Sequence, residues 1–376
     1  MDLLSKGYIG RAALIASVGL IFGGVYADSL LAPMVIADSN FETYFSFKTP
    51  KGRSSARRLN SSIIHYTWIK KGTSISALKK LSTPCSIINN KGRTSANDMV
   101  FQDSRGNVAT PAGPHNDRSQ PNGYNATNYV GMVVITDLGN TLPTQSLPLN
   151  EGGMSGFAYI VNITTGNVQD YKLLNNHRSM VDGDFGSGFT SKKSVDLSWL
   201  GGGTPVGGYT GVAVKTDWLA VVTGFDMAQD GGAFSSLYDV SATFSQDTRA
   251  VNGTIDPTQD SPQLANLGYG TKGVMGNDEG FTSGDLSVTV TCMGLFDRAE
   301  MMDAQLLADT RFGGWVRLSI SPQDGATGVS KHRSTGAVVY HMDRFITPFR
   351  QTPVVTMQPE TSGHLLLGRN HPNRPF

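Results

Sequence analysis

From Asp285 to Cys292 polar and apolar residues alternate without a break: Asp285, Ser287, Thr289 and Thr291 against Leu286, Val288, Val290 and Cys292. A period of two is that of a β-strand, whose successive side chains point to opposite faces. The stretch therefore reads as a strand with one wet face and one buried face, and Cys292 points into a core.

The same period recurs along the chain. In "NFETYFSFKT", Phe41, Thr43, Phe45 and Phe47 share one face, which puts Glu42 on the exposed one. In "SIIHYTWIK", Ile64, Tyr66 and Trp68 oppose Ile63, His65, Thr67 and Ile69. Further strands are predicted at 129–137, 156–164, 210–224, 236–245, 285–293, 314–321, 336–342 and 352–358, with Gly-, Pro- or Asn-rich connectors between them. Only 16% of residues are charged and Gly numbers 44, a composition that suits turns and polar strand faces better than helices. One segment departs from this pattern. Asp297 and Glu300 have capping-box spacing, Ala299, Met302 and Leu306 form a helical stripe, and Gly313-Gly314 ends it.

The expected fold is all-β: an antiparallel β-sandwich of immunoglobulin-like or jelly-roll type, one large or two fused, with long Gly-rich loops and one short helix near 298–308. Irregular stretches are expected at 103–127, 139–153, 175–209 and 246–284. Any boundary would fall at 139–153, leaving 154–284 as a Gly-rich insertion or second β layer within a body of 28–376.

The first 27 residues read as a secretory signal peptide cleaved after Ala27. Lys6 and Arg11 are its basic leader, Ala12–Phe22 its apolar core, and Val25-Tyr26-Ala27 its small-residue exit. An uncleaved anchor of spanning length would have to carry Asp28 into the bilayer and run through Pro33. No later window is long and apolar enough to span. Removing 1–27 takes away Lys6, Arg11 and Asp2, so basic and acidic residues become equal in number. That balance argues against nucleic acid or an anionic membrane as partner. Copies of itself, other cell-surface components and glycans remain as partners of a protein that is secreted, held at the cell surface, or periplasmic if retained.

The new N-terminal segment, "SLLAPMVIAD", is apolar on both faces. Leu30, Leu31, Met34, Val35 and Ile36 form a strand that either pairs within its own sheet or is donated to a neighbouring copy, with Pro33 marking where it enters or leaves the ladder. Residues 30–49, "LLAPMVIADSNFETYFSFKT", resemble the opening hairpin of many secreted bacterial surface proteins built from immunoglobulin-like sandwiches. The resemblance implies that fold and no activity.

Two cysteines in an exported chain predict a Cys85–Cys292 disulfide; the alternative is two separately buried thiols. The absence of C-x-x-C removes support for redox catalysis. "GYGTKG" (268–273) matches a dinucleotide-binding fingerprint but lacks the flanking strand and helix. "GGMSGF" (152–157) misses the nucleophile-elbow spacing, and no H-E-x-x-H occurs. Oxygen-rich loops are candidate calcium sites: Asp182 and Asp184 in one, Asp226 and Asp230 in another, Asn277, Asp278 and Glu279 near Asp285 in a third. The same residues also serve as ordinary Asx-turn residues. Trp199 and Tyr209 flank "LGGGTPVGG" and are the candidate pair for stacking a sugar. Sequons lie at Asn60, Asn125, Asn162 and Asn252.

Two functions survive. The first is a secreted structural or adhesive surface protein, self-assembling into filaments or layers through strand edges. The second is an extracellular carbohydrate-binding or carbohydrate-active sandwich stabilised by calcium. No catalytic motif marks an enzyme.

Overall fold

The computed structural model describes residues 29–49, 61–95, 99–104, 125–137, 154–175, 185, 193–200, 213–224, 227–228, 237–238, 241–246, 273–276, 281–283, 286–311, 313–323, 336–347 and 350–359. These build four antiparallel sheets. Sheet 1 contains β1 (Ser29–Ala37), β3 (Ser61–Gly72), β4 (Cys85–Ser95), β6 (Tyr129–Asp137), β9 (Leu174–Asn175) and β12 (Leu237–Tyr238), ordered β12-β4-β3-β6-β1-β9. Sheet 2 contains β2 (Phe41–Lys48), β5 (Met99–Asp103), β7 (Ser155–Asn162) and β8 (Val168–Lys172), ordered β5-β2-β7-β8. Sheet 3 holds β10 (Lys193–Leu200), β13 (Ser241–Gln246), β14 (Gly273–Gly276), β15 (Phe281–Ser283), β16 (Ser287–Thr291) and β18 (Gly313–Gln323). Its order is β15-β14-β18-β13-β16, and β10 also pairs with β18. Sheet 4 joins β11 (Ala213–Thr223), β17 (Met293–Phe296), β19 (Gly336–Thr347) and β20 (Arg350–Pro359) as β17-β11-β19-β20.

The sheets face each other in pairs, and aromatic rings mark both interfaces. Between sheets 1 and 2, Phe45 meets Trp68 edge-on at 6.2 Å and Phe47 meets Tyr66 at 6.5 Å. Between sheets 3 and 4, Trp199 meets Trp218 edge-on at 6.0 Å, and Phe244 lies 6.0 Å from Phe296. Such geometries contribute beyond the area they bury. The body is thus two fused sandwiches sharing one hydrophobic cluster.

Chain order does not separate the middle third. Within 154–284, β7 and β8 complete sheet 2, β11 sits inside sheet 4, and β12 adds to β4 of sheet 1. β10, β13, β14 and β15, from the same range, give sheet 3 four of its six strands, beside β16 and β18 from later in the chain. The expected boundary at 139–153 lies outside the described residues.

At the seam between the sandwiches, the Cys85–Cys292 disulfide joins β4 to the break between β16 and β17. Cys292 has φ 63°, a left-handed conformation that ends one strand and starts the next on a different sheet. The predicted strand at 285–293 is for this reason two strands. Beside the disulfide, Thr291 N–H donates to the Leu81 carbonyl at 2.8 Å. Leu81 also packs on Gly294, where a Cβ would come within 2.6 Å of Leu81 Cδ2. Gly294 leaves room for that contact.

The expected helix near 298–308 is two: α1 (Arg298–Met301) and α2 (Ala304–Asp309). Asp297 and Glu300 form the predicted capping box. Met302 then turns extended, and the Asp303 carboxylate starts a second helix by accepting from Leu306 N–H at 2.8 Å. Asp303 is itself an N-cap residue, so the stripe through Met302 is interrupted. Met301, Met302 and Leu306 are buried, whereas Ala299 is exposed.

Candidate functional site: the outer face of sheet 2

The outward residues of sheet 2 follow from its register. The first row across the strands is Met99, Lys48 and Ser155; the second is Phe101, Ser46, Phe157 and Lys172. The third is Asp103, Tyr44, Tyr159 and Asp170, and the fourth is Glu42, Val161 and Val168. Phe157 is 46% exposed, Phe101 40%, Met99 62% and Val168 59%. Tyr44 stacks on Phe101 at 5.7 Å with an interplanar angle of 18°. A contiguous apolar and aromatic surface rimmed by charge is the usual mark of an interaction site.

β7 shows why the sequence folds this way. In "SGFAYIVN", Ala158 and Ile160 are buried, while Phe157 and Tyr159 stand outward and Val161 is half-buried. The strand is apolar in both phases, so its inward phase builds the core and its outward phase is surplus to it. β5 inverts the usual logic at three of its positions: Met99 and Phe101 are exposed and Gln102 is fully buried, while Val100 is buried as expected. Glu42, expected on an exposed face, is only 8% exposed, with the Tyr44 hydroxyl donating to its Oε2 at 3.2 Å.

The outward face of sheet 3 differs in character. Thr243 and Thr289 hydroxyls hydrogen-bond at 2.9 Å, and those of Ser241 and Thr291 at 2.7 Å. These four hydroxyls satisfy one another, as on an ordinary solvated sheet.

Two charged groupings lie elsewhere. At the seam, Lys79 Nζ is 3.3 Å from Asp217, 3.8 Å from Asp297 and 3.4 Å from Glu300. Lys215 Nζ is 2.9 Å from Asp297 and 3.8 Å from Asp217. Partial burial opposes ionisation of Asp297, but hydrogen bonds with Glu300, Lys215 and Ala299 N–H and the charge of Lys79 hold it well below the ordinary carboxylate range. Glu300 is pushed up by its own burial and by Asp297. This cluster fastens the 3-10 turn Ile75–Lys79 to sheet 4. On sheet 4, His341 Nε2 and the Thr216 hydroxyl converge on Asp343 Oδ1 at 2.8 and 2.7 Å. Burial works against the Asp343 charge, yet His341 and Thr216 lower its pKa. Here the aspartate bridges, whereas a hydrolase triad places the histidine between acid and nucleophile.

The sequence-derived candidates fare unevenly. Cys85 and Cys292 are bonded. Trp199, expected exposed in a loop, lies in β10, only 3% exposed, with its indole N–H donating to the Thr310 carbonyl at 3.2 Å. A ring packed edge-on against Trp218 has no face for a sugar. Its supposed companion Tyr209 lies outside the described residues, as do Asp182, Asp184, Asp226, Asp230, Asn277, Asp278 and Glu279. Among the described residues no cluster of three or more metal-ligating side chains occurs. Asn162 folds its sequon into a turn, accepting from Thr164 and Thr165 N–H at 3.0 Å each. Leu30, Leu31, Met34, Val35 and Ile36 are buried, and β1 pairs within its own chain, along β6 and, at Leu30 and Leu31, with β9. The Tyr171 hydroxyl further donates to the Met34 carbonyl.

No helix among the described residues is long and apolar enough to cross a membrane. No family model matches the chain, and neither a curated protein nor a solved structure does.

Proposed function

We propose that the chain is an exported structural or adhesive protein of the cell surface, and that the outer face of sheet 2 is its contact surface. The observation that carries this reading is the outward array of exposed Phe101 and Phe157 with half-buried Tyr44 and Tyr159, on a sheet whose opposite face fills the core. Leaving large rings in water forgoes burial that would otherwise stabilise the fold, so a surface built of them is explained by something that covers it. The disulfide supports an oxidising compartment, and the signal peptide read at 1–27 supplies the route there.

A second reading, an extracellular carbohydrate-binding protein, draws on the same face, because Asp103 and Asp170 flank Tyr44 and Tyr159 in one row. Aromatic faces beside hydrogen-bonding carboxylates suit sugar rings.

The test is to label intact source cells with an antibody to the folded body, then to measure cell adhesion of beads coated with wild type or with F157S/Y159S. Surface labelling and weaker adhesion of the variant beads are expected. Protein confined to the cytosol, or equal adhesion by both beads, would overturn the proposal. Glycan-array binding that the variant loses would select the second reading.

A further inference from the structure

We infer that the occupant of this face is a second copy of the chain, packed face to face about a two-fold axis that runs across the strands. The inference rests on the reading of sheet 2 as the contact surface and names what covers it.

Charge is distributed unevenly over the four rows. Both lysines, Lys48 and Lys172, fall in the first and second rows; all three carboxylates, Asp103, Asp170 and Glu42, fall in the third and fourth. No residue breaks the segregation. One end of the face is therefore positive, the other negative, and the aromatic rings lie between.

A surface of this kind complements itself. An isologous interface brings each residue at one position onto another position of the same patch. A two-fold axis lying in the face, perpendicular to the strands and between the second and third rows, reverses strand direction and keeps each strand over its counterpart. Lys172 of one copy then falls over Asp170 of the other on β8, and Phe157 over Tyr159 on β7. On β2, Lys48 falls at the Glu42 end and Ser46 over Tyr44. Each relation occurs twice, so two lysine–carboxylate contacts on β8 lie side by side along one edge of a paired aromatic layer. A shift of one strand sideways loses the lysine–carboxylate contacts, setting Lys172 over Tyr159 and Asp170 over Phe157, and a two-fold axis along the strands sets Asp103 over Asp170. The charges thus select orientation, as complementary patches do.

The size suits a weak, concentration-dependent pair. Strands of eight, five, eight and five residues, at about 3.4 Å per residue and about 4.8 Å apart, give a footprint of roughly 420 Å² per copy and about 850 Å² in all, the size of a transient contact.

The experiment uses the chain purified from its source cells, with variants made in the same cells, and reads mass by sedimentation velocity from about 1 to about 100 µM. Wild type is expected to be dimeric at the upper end and to dissociate on raising salt. K172D and D170K should each weaken the dimer at least tenfold, because each sets like charges opposite one another twice. Lys172 and Asp170 are exposed, so both variants keep the fold, which circular dichroism checks. An equimolar mixture of the two should re-form a dimer, since every like-charge contact becomes an opposite-charge one. A chain that stays monomeric throughout, a dimer indifferent to both variants, or a mixture that fails to pair would overturn the inference. A monomer that still labels intact cells and still needs Phe157 for adhesion would overturn the pairing alone and leave the surface role standing.

Discussion

The Lys71 ammonium donates to the carbonyl of Thr291 at 3.0 Å, joining β3 of one sandwich to the end of β16 in the other, one residue from the disulfide. It also donates to the Thr83 carbonyl. Lys71 is 4% exposed, and burial pulls its pKa down to about 8.

That shift has a direction in stability. A base whose folded pKa lies below its unfolded value makes the unfolded chain bind more protons, so stability rises with pH between the two. For Lys71 the window runs from about 8 to 10.5. The stability difference between wild type and K71M should therefore move in favour of wild type from pH 8 to pH 9.5, read as melting temperature. A constant difference would show that the ammonium is solvated.

Above that window the sign reverses. Tyr66, Tyr171 and Tyr340 are buried, and burial raises all three phenol pKa values above the usual 10.0. The folded state keeps these protons while the unfolded chain loses them, so stability is full below pH 10 and falls above it. Chemical denaturation midpoints should peak between pH 9 and 10. Y171F, which keeps the ring, should soften the alkaline decline.

The disulfide should matter to the seam more than to either sandwich. It spans 207 positions, and closing a loop of that size restricts the unfolded chain by about 5 kcal/mol in the chain-entropy model. C85S/C292S should lower the denaturation midpoint sharply while far-ultraviolet circular dichroism stays that of a β protein. A midpoint unchanged by reduction would mean that the ion pairs and the β12–β4 pairing hold the seam unaided.

Most of the strands were legible, and the misses share a cause. β6 occupies the predicted 129–137, and β16 keeps the alternation of Leu286, Val288 and Val290. β10 carries the same signal, with Val195, Leu197 and Trp199 all buried, but the run Gly201–Gly203 beyond it made the segment read as loop. β4, "CSIINNKGRTS", has no apolar phase past Ile88, and pairing with β3 holds it there. The sheet 2 face was hidden for a different reason: Tyr44, Phe101 and Phe157 come from three separate strands, and only register brings them into adjacent rows. The sole local sign was β7 being apolar in both phases.

Trp199 offers a direct check on its reassignment. Truncating a buried Trp costs about 3–5 kcal/mol, and W199A also removes one of the two donors on the Thr310 carbonyl, leaving Arg298. W199A should be strongly destabilised, whereas F157S, on the outer face, should melt within a few degrees of wild type. The reverse order would return Trp199 to the surface.

The Lys79 cluster makes a prediction about non-additivity. The Asp217 side chain is only 2% exposed and has Lys79 at 3.3 Å and Lys215 at 3.8 Å. Either lysine alone still faces the carboxylate, and because both are partly exposed, K79M and K215M should each cost about 1 kcal/mol. Removing both leaves a buried charge with neither cation, which costs about 3–5 kcal/mol. The double variant should therefore lose well over the sum of the singles, a coupling that urea denaturation of the four proteins measures directly. Adding D217N to the double variant should recover most of the loss, because the amide carries no charge to strand. If the three losses simply add, Asp217 is held by its backbone surroundings, and the lysines belong to Asp297 and Glu300 alone.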